Sequence, residues 1–249
     1  MKRSRAIRAV RRGFTLIEVT IAVMLVALIS LGLLMAMRVG FNAMQKSNDK
    51  LMHNRRVTGV ERILRQQVAG ILPVTAKCGG GDPQAPGEKI AFFEGEPGSM
   101  RFASTFSLQE GSRGMPRILE FQVIPGDQGV GVRLVVNEHL YSGPFSTTGF
   151  CSGKEPGENG EPAPVFVPIS VGPGSFVLAD KLSACSFVFL QPPRDNEPAR
   201  WVTHWTRPVL PQAIRIVMLP LDADTASVQL LPLTIPVHVT RLPLGPYAE

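Results

Sequence analysis

The amino-acid sequence predicts an α+β protein in which one long N-terminal helix packs on a strand-rich, antiparallel head. Three observations lead to this prediction. Residues 19–37 contain no charged side chain. Residues 38–72 place apolar side chains at helical intervals, and no proline occurs in the chain before Pro73. From residue 90 onward, short alternating apolar and polar stretches are separated by glycine and proline, which is typical of antiparallel strands.

Residues 1–13 are a basic leader without an acidic residue. Its charged residues are Lys2, Arg3, Arg5, Arg8, Arg11 and Arg12. The whole chain has 26 basic and 20 acidic residues and a formal net charge of +6, so removing these six leaves 20 of each sign. The basicity therefore belongs to the leader, and we expect no nucleic-acid partner.

Residues 14–37 are predicted to be the transmembrane half of the helix. About 20 apolar residues at 1.5 Å each span a hydrocarbon core of ~30 Å. The run is longer than the ~7–15 apolar residues of a cleaved secretory signal, so we expect it to stay in the mature chain as a single-pass anchor in the lipid bilayer. The basic leader predicts a cytoplasmic N-terminus and an exported remainder.

Residues 38–72 are predicted to be the amphipathic half of the same helix. Its apolar side chains recur mostly at three- and four-residue intervals. They are Phe41, Met44, Leu51, Val57, Val60, Leu64, Val68 and Ile71. Residues 73–89, rich in proline and glycine, are predicted to form a connector.

Residues 90–249 are predicted to form the β-rich extracytoplasmic head, with a single core packed against the helix. The expected strands are 90–93, 100–106, 118–123, 130–136, 176–178, 184–190, 200–205, 213–219 and 229–239. The last of these contains Pro232 and Pro236, so we expect it to be broken or to lie at a sheet edge. Residues 152–164 are expected to be a solvated loop.

The three cysteines give an odd count for an exported chain. Cys78 and Cys151 lie in loop-like, glycine-rich segments, whereas Cys185 alternates with apolar residues as in a buried strand. If one disulfide forms, loop position favours Cys78–Cys151, and three reduced thiols are the alternative.

The sequence contains no recognisable catalytic motif, and its four histidines have no metal-ligand spacing. We therefore expect no catalytic residue, no cofactor, no metal and no small-molecule substrate. Asp222 and Asp224 are interpreted as a solvated turn, with part of a calcium loop as the alternative. Trp201 and Trp205 are expected to be buried, with an aromatic ligand platform as the alternative.

The basic leader, the segment Gly-Phe-Thr-Leu-Ile-Glu at residues 13–18 and the apolar helix together resemble the class III signal of type IV prepilins and pseudopilins. The resemblance implies that a prepilin peptidase cleaves between Gly13 and Phe14 and methylates the new amine of Phe14. It also implies the pilin-like fold, with a long helix on an antiparallel head. Glu18 matches the acidic fifth residue of the family.

Glu18 is the residue whose position most needs an explanation. An unpaired carboxylate in a membrane is unfavourable by up to ~3 kcal/mol. The N-terminal amine that cleavage creates on a neighbouring subunit would satisfy it, so we predict a role in assembly. The local alternative is a capping box in which Thr15 and Glu18 cover the first backbone amides of the helix.

The rest of the chain resembles the J-type minor pseudopilin of type II secretion. The residues that carry this resemblance are FFEGEPGSMRFAS (92–104), GMPRILEFQV (114–123) and a C-terminal block from Leu182. It implies a non-enzymatic tip subunit of the pseudopilus, bound to other minor pseudopilins in the bacterial inner membrane with its head in the periplasm. The alternatives are a minor pilin of a type IV pilus and, from another class, a signal-anchored periplasmic binding or enzymatic domain.

Overall fold

A computed structural model of the protein describes residues 13–78, 89–156, 162–193, 198–207, 209–221 and 232–239. It confirms the α+β class, because a long N-terminal helix precedes an antiparallel, strand-rich domain. Helix α1 runs from Leu16 to Ala69. The strands are β1 Ile71–Leu72, β2 Thr75–Lys77, β3 Lys89–Ala91, β4 Phe93–Gly95, β5 Ser99–Phe106, β6 Arg113–Pro125, β7 Val132–Leu140, β8 Cys151–Pro156, β9 Pro162–Phe166, β10 Phe176–Gln191, β11 Arg200–Val202, β12 Ala213–Pro220 and β13 Leu233–Pro236.

The chain divides into two compact units, Met1–Met52 and His53–Glu249. In the first unit, residues Leu16–Asp49 of α1 have a mean hydropathy of 2.7 and are long and apolar enough to cross a membrane. Every described side chain of this stretch is exposed within the chain. An apolar helix without protein contacts is suited to a lipid environment.

The second unit is built around a nine-stranded antiparallel sheet. Its main path is β1-β5-β6-β7-β10-β12-β13, with β4 also paired to β5 and β11 to β10. Val60, Leu64 and Val68 of α1 pack into the sheet's hydrophobic core. The predicted apolar stripe is thus buried from residue 57 onward, whereas Phe41, Met44 and Leu51 are exposed.

Helix α1 ends at Ala69, which corrects the predicted end near Leu72. Gly70 closes the helix by donating its amide to the carbonyls of Gln66 and Gln67. A Cβ atom at Gly70 would lie 2.6 Å from Ser104 Oγ, so a larger residue does not fit where the end of α1 meets β5. The next two residues join the sheet as β1, because pairing with β5 satisfies backbone groups that the helix would leave unpaired.

Two predicted irregular segments contain strands. The 73–89 connector begins and ends in β2 and β3, which pair with each other, while residues 79–88 lie outside the described part. The expected loop at 152–164 is largely the hairpin of β8 and β9, with residues 157–161 outside the description. In both cases main-chain pairing compensates for the lack of apolar alternation.

The predicted edge strand is shorter than expected and lies at the sheet margin. Strand β13 covers only Leu233–Pro236 and pairs with β12, with no second strand partner among the described residues. The separate strands predicted at 176–178 and 184–190 are one strand, β10. Its register shifts against β7 near Ala179, and Lys181 has a φ of 56°.

Cys78 and Cys151 are joined by a disulfide. Both cysteines are buried with Ala76, Phe92 and Ile118 in a second, smaller core on the head. The bond closes a loop between positions 73 residues apart and fastens the start of the β8–β9 hairpin to β2.

Replacing both Cys78 and Cys151 by serine is expected to lower the free energy of unfolding of the head by about 2–4 kcal/mol, because the unfolded chain loses a cross-link. Urea unfolding of the full chain in detergent, followed by tryptophan fluorescence, measures this. Cys185→Ser is the matched control and should cost less. Equal losses in the two variants would contradict a stabilising cross-link.

Candidate functional site

The peptide bond between Gly13 and Phe14 lies in an accessible stretch ahead of α1. Residues 13–15 have no regular secondary structure, and Phe14 is 84% exposed. A Cβ atom at Gly13 would meet nothing within 4 Å, so its surroundings are open. A peptidase therefore has backbone access at this junction. Residues 1–12 of the predicted leader lie outside the described part.

Glu18 lies in the first turn of α1 with its carboxylate free. The carbonyl of Thr15 accepts hydrogen bonds from the amides of Glu18 (3.1 Å) and Val19 (3.3 Å). Within the described part of the chain, neither the Thr15 nor the Glu18 side chain makes a hydrogen bond or ion pair. The capping box considered as an alternative is therefore not formed, and the acid remains available to a group outside its own chain.

The other polar side chains in the apolar run are satisfied locally. Thr20 Oγ1 donates to the carbonyl of Ile17 at 2.9 Å, and Ser30 Oγ donates to that of Val26 at 2.8 Å. Such back-bonding lets hydroxyls reside in lipid without an external partner. Glu18 differs from them because its carboxyl group has no partner among the described residues.

The prokaryotic N-terminal methylation motif matches residues 8–34, a stretch that includes Gly13, Phe14 and Glu18. This motif indicates a type IV pilin-like protein. It supports a class III prepilin signal and, with the apolar helix, indicates a single-pass membrane anchor. A comparison with curated proteins finds no match to the chain.

The remaining sequence candidates of the pilin-like protein lie in the head. Cys185 is half-buried in β10, and burial raises the pKa of its thiol to about 12, so it stays protonated. Trp205 is buried in the core and its Nε1 donates to the carbonyl of Val209 at 2.7 Å. Trp201 is half-buried beneath the Arg215 guanidinium, 4.0 Å from its ring centre.

The described residues contain no group of three or more His, Cys, Asp or Glu side chains arranged to hold a metal ion. His139 Nε2 lies 3.0 Å from Glu120, which also contacts Arg101 and Asn137, and His204 Nε2 lies 3.1 Å from Glu96. Asp222 and Asp224, considered above for calcium, lie outside the described part.

Sequence reasoning missed a row of buried polar side chains that crosses the head. Glu94, Arg101, Glu120 and Asn137 stand opposite one another on β4, β5, β6 and β7. The available signal was an arginine between Met100 and Phe102 and a glutamate between Leu119 and Phe121, each a charged residue flanked by apolar ones. Strand register, which places them side by side, was not available from the sequence.

The mature pilin-like protein is expected to begin at N-methyl-Phe14, because the junction is accessible and lies within the methylation motif. Mass spectrometry of the N-terminal peptide, on protein extracted from membranes of cells that contain the prepilin peptidase, measures this. A Gly13→Leu variant is the control and should keep its leader. An intact leader on the wild-type protein in such cells would contradict the processing site.

Proposed function

We propose that this pilin-like protein is a minor pseudopilin, a non-enzymatic structural subunit at the tip of the type II secretion pseudopilus. In this role it is anchored in the bacterial inner membrane with its head in the periplasm, and it serves protein export across the outer membrane. Other minor pseudopilins and the prepilin peptidase are its proposed partners. The observation that carries the proposal is Glu18, the fifth residue after the processing junction, which lies inside the methylation motif and has no side-chain partner among the described residues.

Charge pairing between subunits explains why an acid is kept at this position. Cleavage after Gly13 creates a cationic amine at the start of a membrane helix, and Glu18 supplies the opposite charge. The attraction between two opposite charges in close contact is stronger in a low-dielectric surrounding than in water, whereas a charge left unpaired there is unfavourable. Pairing between subunits removes an unfavourable charge from each monomer, so assembly and neutralisation are coupled.

A second feature of α1 supports packing against neighbouring helices. Phe41, Met44 and Leu51 are exposed on the helix that follows the apolar run. At 100° per residue they lie within about 80° of one another, and Asn42 lies about 200° from Met44. Arg38, Lys46 and Asp49 lie in the same segment, so this part of α1 is less apolar than residues 19–37. The α1 helix of another pilin-like subunit would cover it.

The choice of type II secretion over a type IV pilus rests on the likeness of residues 92–104 and 114–123 to the J-type minor pseudopilin. Deleting the gene should stop the release of type II substrates into the medium, because the tip subunit nucleates the pseudopilus. Surface pili should persist. Measuring both in one strain, with the intact gene restored as control, tests the choice. Normal secretion with lost pili would assign the protein to a pilus instead.

Glu18→Ala is expected to leave leader removal and membrane insertion intact but to weaken assembly several-fold, because a charge pair between subunits is lost. A photo-reactive benzoylphenylalanine in place of Met44 reports assembly as cross-links to chains that carry the methylation motif. Asp49→Ala, another exposed acid of α1, is the matched control and should cross-link normally. Benzoylphenylalanine in place of Asn42 should capture few chains that carry the methylation motif.

Undiminished cross-linking of the Glu18→Ala variant would contradict the role of Glu18. Equal yields from positions 42 and 44 would contradict the proposed face while leaving the role of Glu18 standing.

A further inference from the structure

The buried polar row of the head joins the main sheet to the β8–β9 hairpin. Arg101, 1% exposed, is at its centre. Its guanidinium donates to the carbonyls of Phe150 at 3.2 Å and Val167 at 2.9 Å, which flank the hairpin at either end. The rings of Phe150 and Phe166 lie 5.5 and 5.3 Å from the guanidinium carbon. One side chain of β5 therefore bonds both to the residue before β8 and to the residue after β9.

Glu120 on β6 is the fully paired carboxylate of the row. Its Oε1 accepts from Arg101 Nε at 2.8 Å and lies 2.7 Å from a second guanidinium nitrogen. Its Oε2 accepts from Asn137 Nδ2 at 3.1 Å and lies 3.0 Å from His139 Nε2. Arginine and amide nitrogens only donate, so both oxygens of Glu120 act as hydrogen-bond acceptors in this arrangement.

Glu94 on β4 is the carboxyl group that the row does not neutralise. Its Oε2 lies 2.7 Å from Arg101 Nη1, but no donor is aligned with this buried oxygen as in a hydrogen bond. Its side chain is 14% exposed. One guanidinium thus faces two carboxyl groups, and its charge is already balanced by Glu120. Ionising Glu94 would leave one surplus negative charge in the buried row.

We propose that the row is a one-proton site in which Glu94 takes up a proton on acidification, and that this uptake strengthens the attachment of the β8–β9 hairpin to the sheet. With Glu94 neutral, Arg101 pairs with Glu120 and keeps its remaining N–H groups for the hairpin carbonyls. With Glu94 ionised, a second carboxylate attracts Nη1, which also donates to Phe150, and shares the single positive charge that otherwise pairs with Glu120.

The charged groups that face Glu94 come from each neighbouring strand. Arg101 of β5 favours the ionised form, whereas Glu96, just beyond β4, and Glu120 of β6 oppose it. His139 of β7 reaches the row through Glu120, and the hairpin adds the two carbonyl groups already described. Burial is the largest influence and raises the pKa of Glu94 from 4.5 to about 7, against the attraction of Arg101.

The raised pKa fixes the direction of the effect. The folded head binds this proton more tightly than the unfolded chain does, so the stabilisation is fully present below about pH 4.5. It is lost as the pH rises towards and through about 7. The head should accordingly be more stable at pH 5 than at pH 9 through this group.

The test is urea unfolding of the full chain in detergent between about pH 5 and pH 9, followed by the fluorescence of the buried Trp205. The folding equilibrium constant of the wild type is expected to fall by up to ~100-fold across this range through Glu94. Glu94→Gln, which mimics the protonated form, should lose most of this fall and exceed the wild type in stability at pH 9. Glu96→Gln is the matched control and should keep most of it.

Hydrogen exchange of the wild type, corrected for the intrinsic rate, supplies a readout that needs no variant. Amides of β8 and β9 should be less protected at pH 8.5 than at pH 6, while those of β12 change little. The same pH dependence in Glu94→Gln as in the wild type, or unchanged hairpin protection, would overturn the proposal. These outcomes concern only the head, so they leave the pseudopilin assignment unaffected.

Discussion

The proposed assembly depends on one carboxyl group, that of Glu18. Glu18 lies at the head of a helix suited to lipid, and its own chain provides no partner for it among the described residues. The hydroxyl groups of Thr20 and Ser30 are satisfied because they donate hydrogen bonds to backbone carbonyls about one turn away. A carboxylate cannot be neutralised in this way, because backbone carbonyls accept and do not donate. In the proposed function a neighbouring subunit provides the partner, and an anchored monomer is incomplete until it assembles.

In the head, the buried polar side chains find their hydrogen-bond partners within the chain. Arg101 and Glu120 are buried, but each is surrounded by partners of complementary hydrogen-bonding character. Breaking such a buried pair is costly even where its net contribution to stability is small. The disulfide at Cys78–Cys151 and the Arg101 contacts fasten the same hairpin at different points. A segment of low apolar content is thereby held on the sheet without a large core beneath it.

The features that depend on residues adjacent in the sequence could be predicted from it. The features that depend on strand register could not. The helix, its membrane half and the Gly13–Glu18 junction follow from contiguous patterns of charge and apolarity. The β8–β9 hairpin was missed because Ser152–Pro156 has no apolar alternation, and its pairing is a main-chain effect. Strand β10 was divided in two because its polar middle contains the bulge at Lys181. The row from Glu94 to Asn137 required knowledge of which strands lie side by side.

The pairing of Glu18 with a neighbour's N-terminal amine is tested most directly by solid-state NMR on a co-purified assembly. This chain would carry ¹³C-labelled glutamate and the partner subunits ¹⁵N labels, with a Glu18→Gln chain as reference to identify the Glu18 signal. Pairing predicts that the Glu18 carboxyl carbon is dephased by a partner's terminal nitrogen, at a separation of about 4 Å or less. An intact assembly in which that carbon shows no such dephasing would contradict the account.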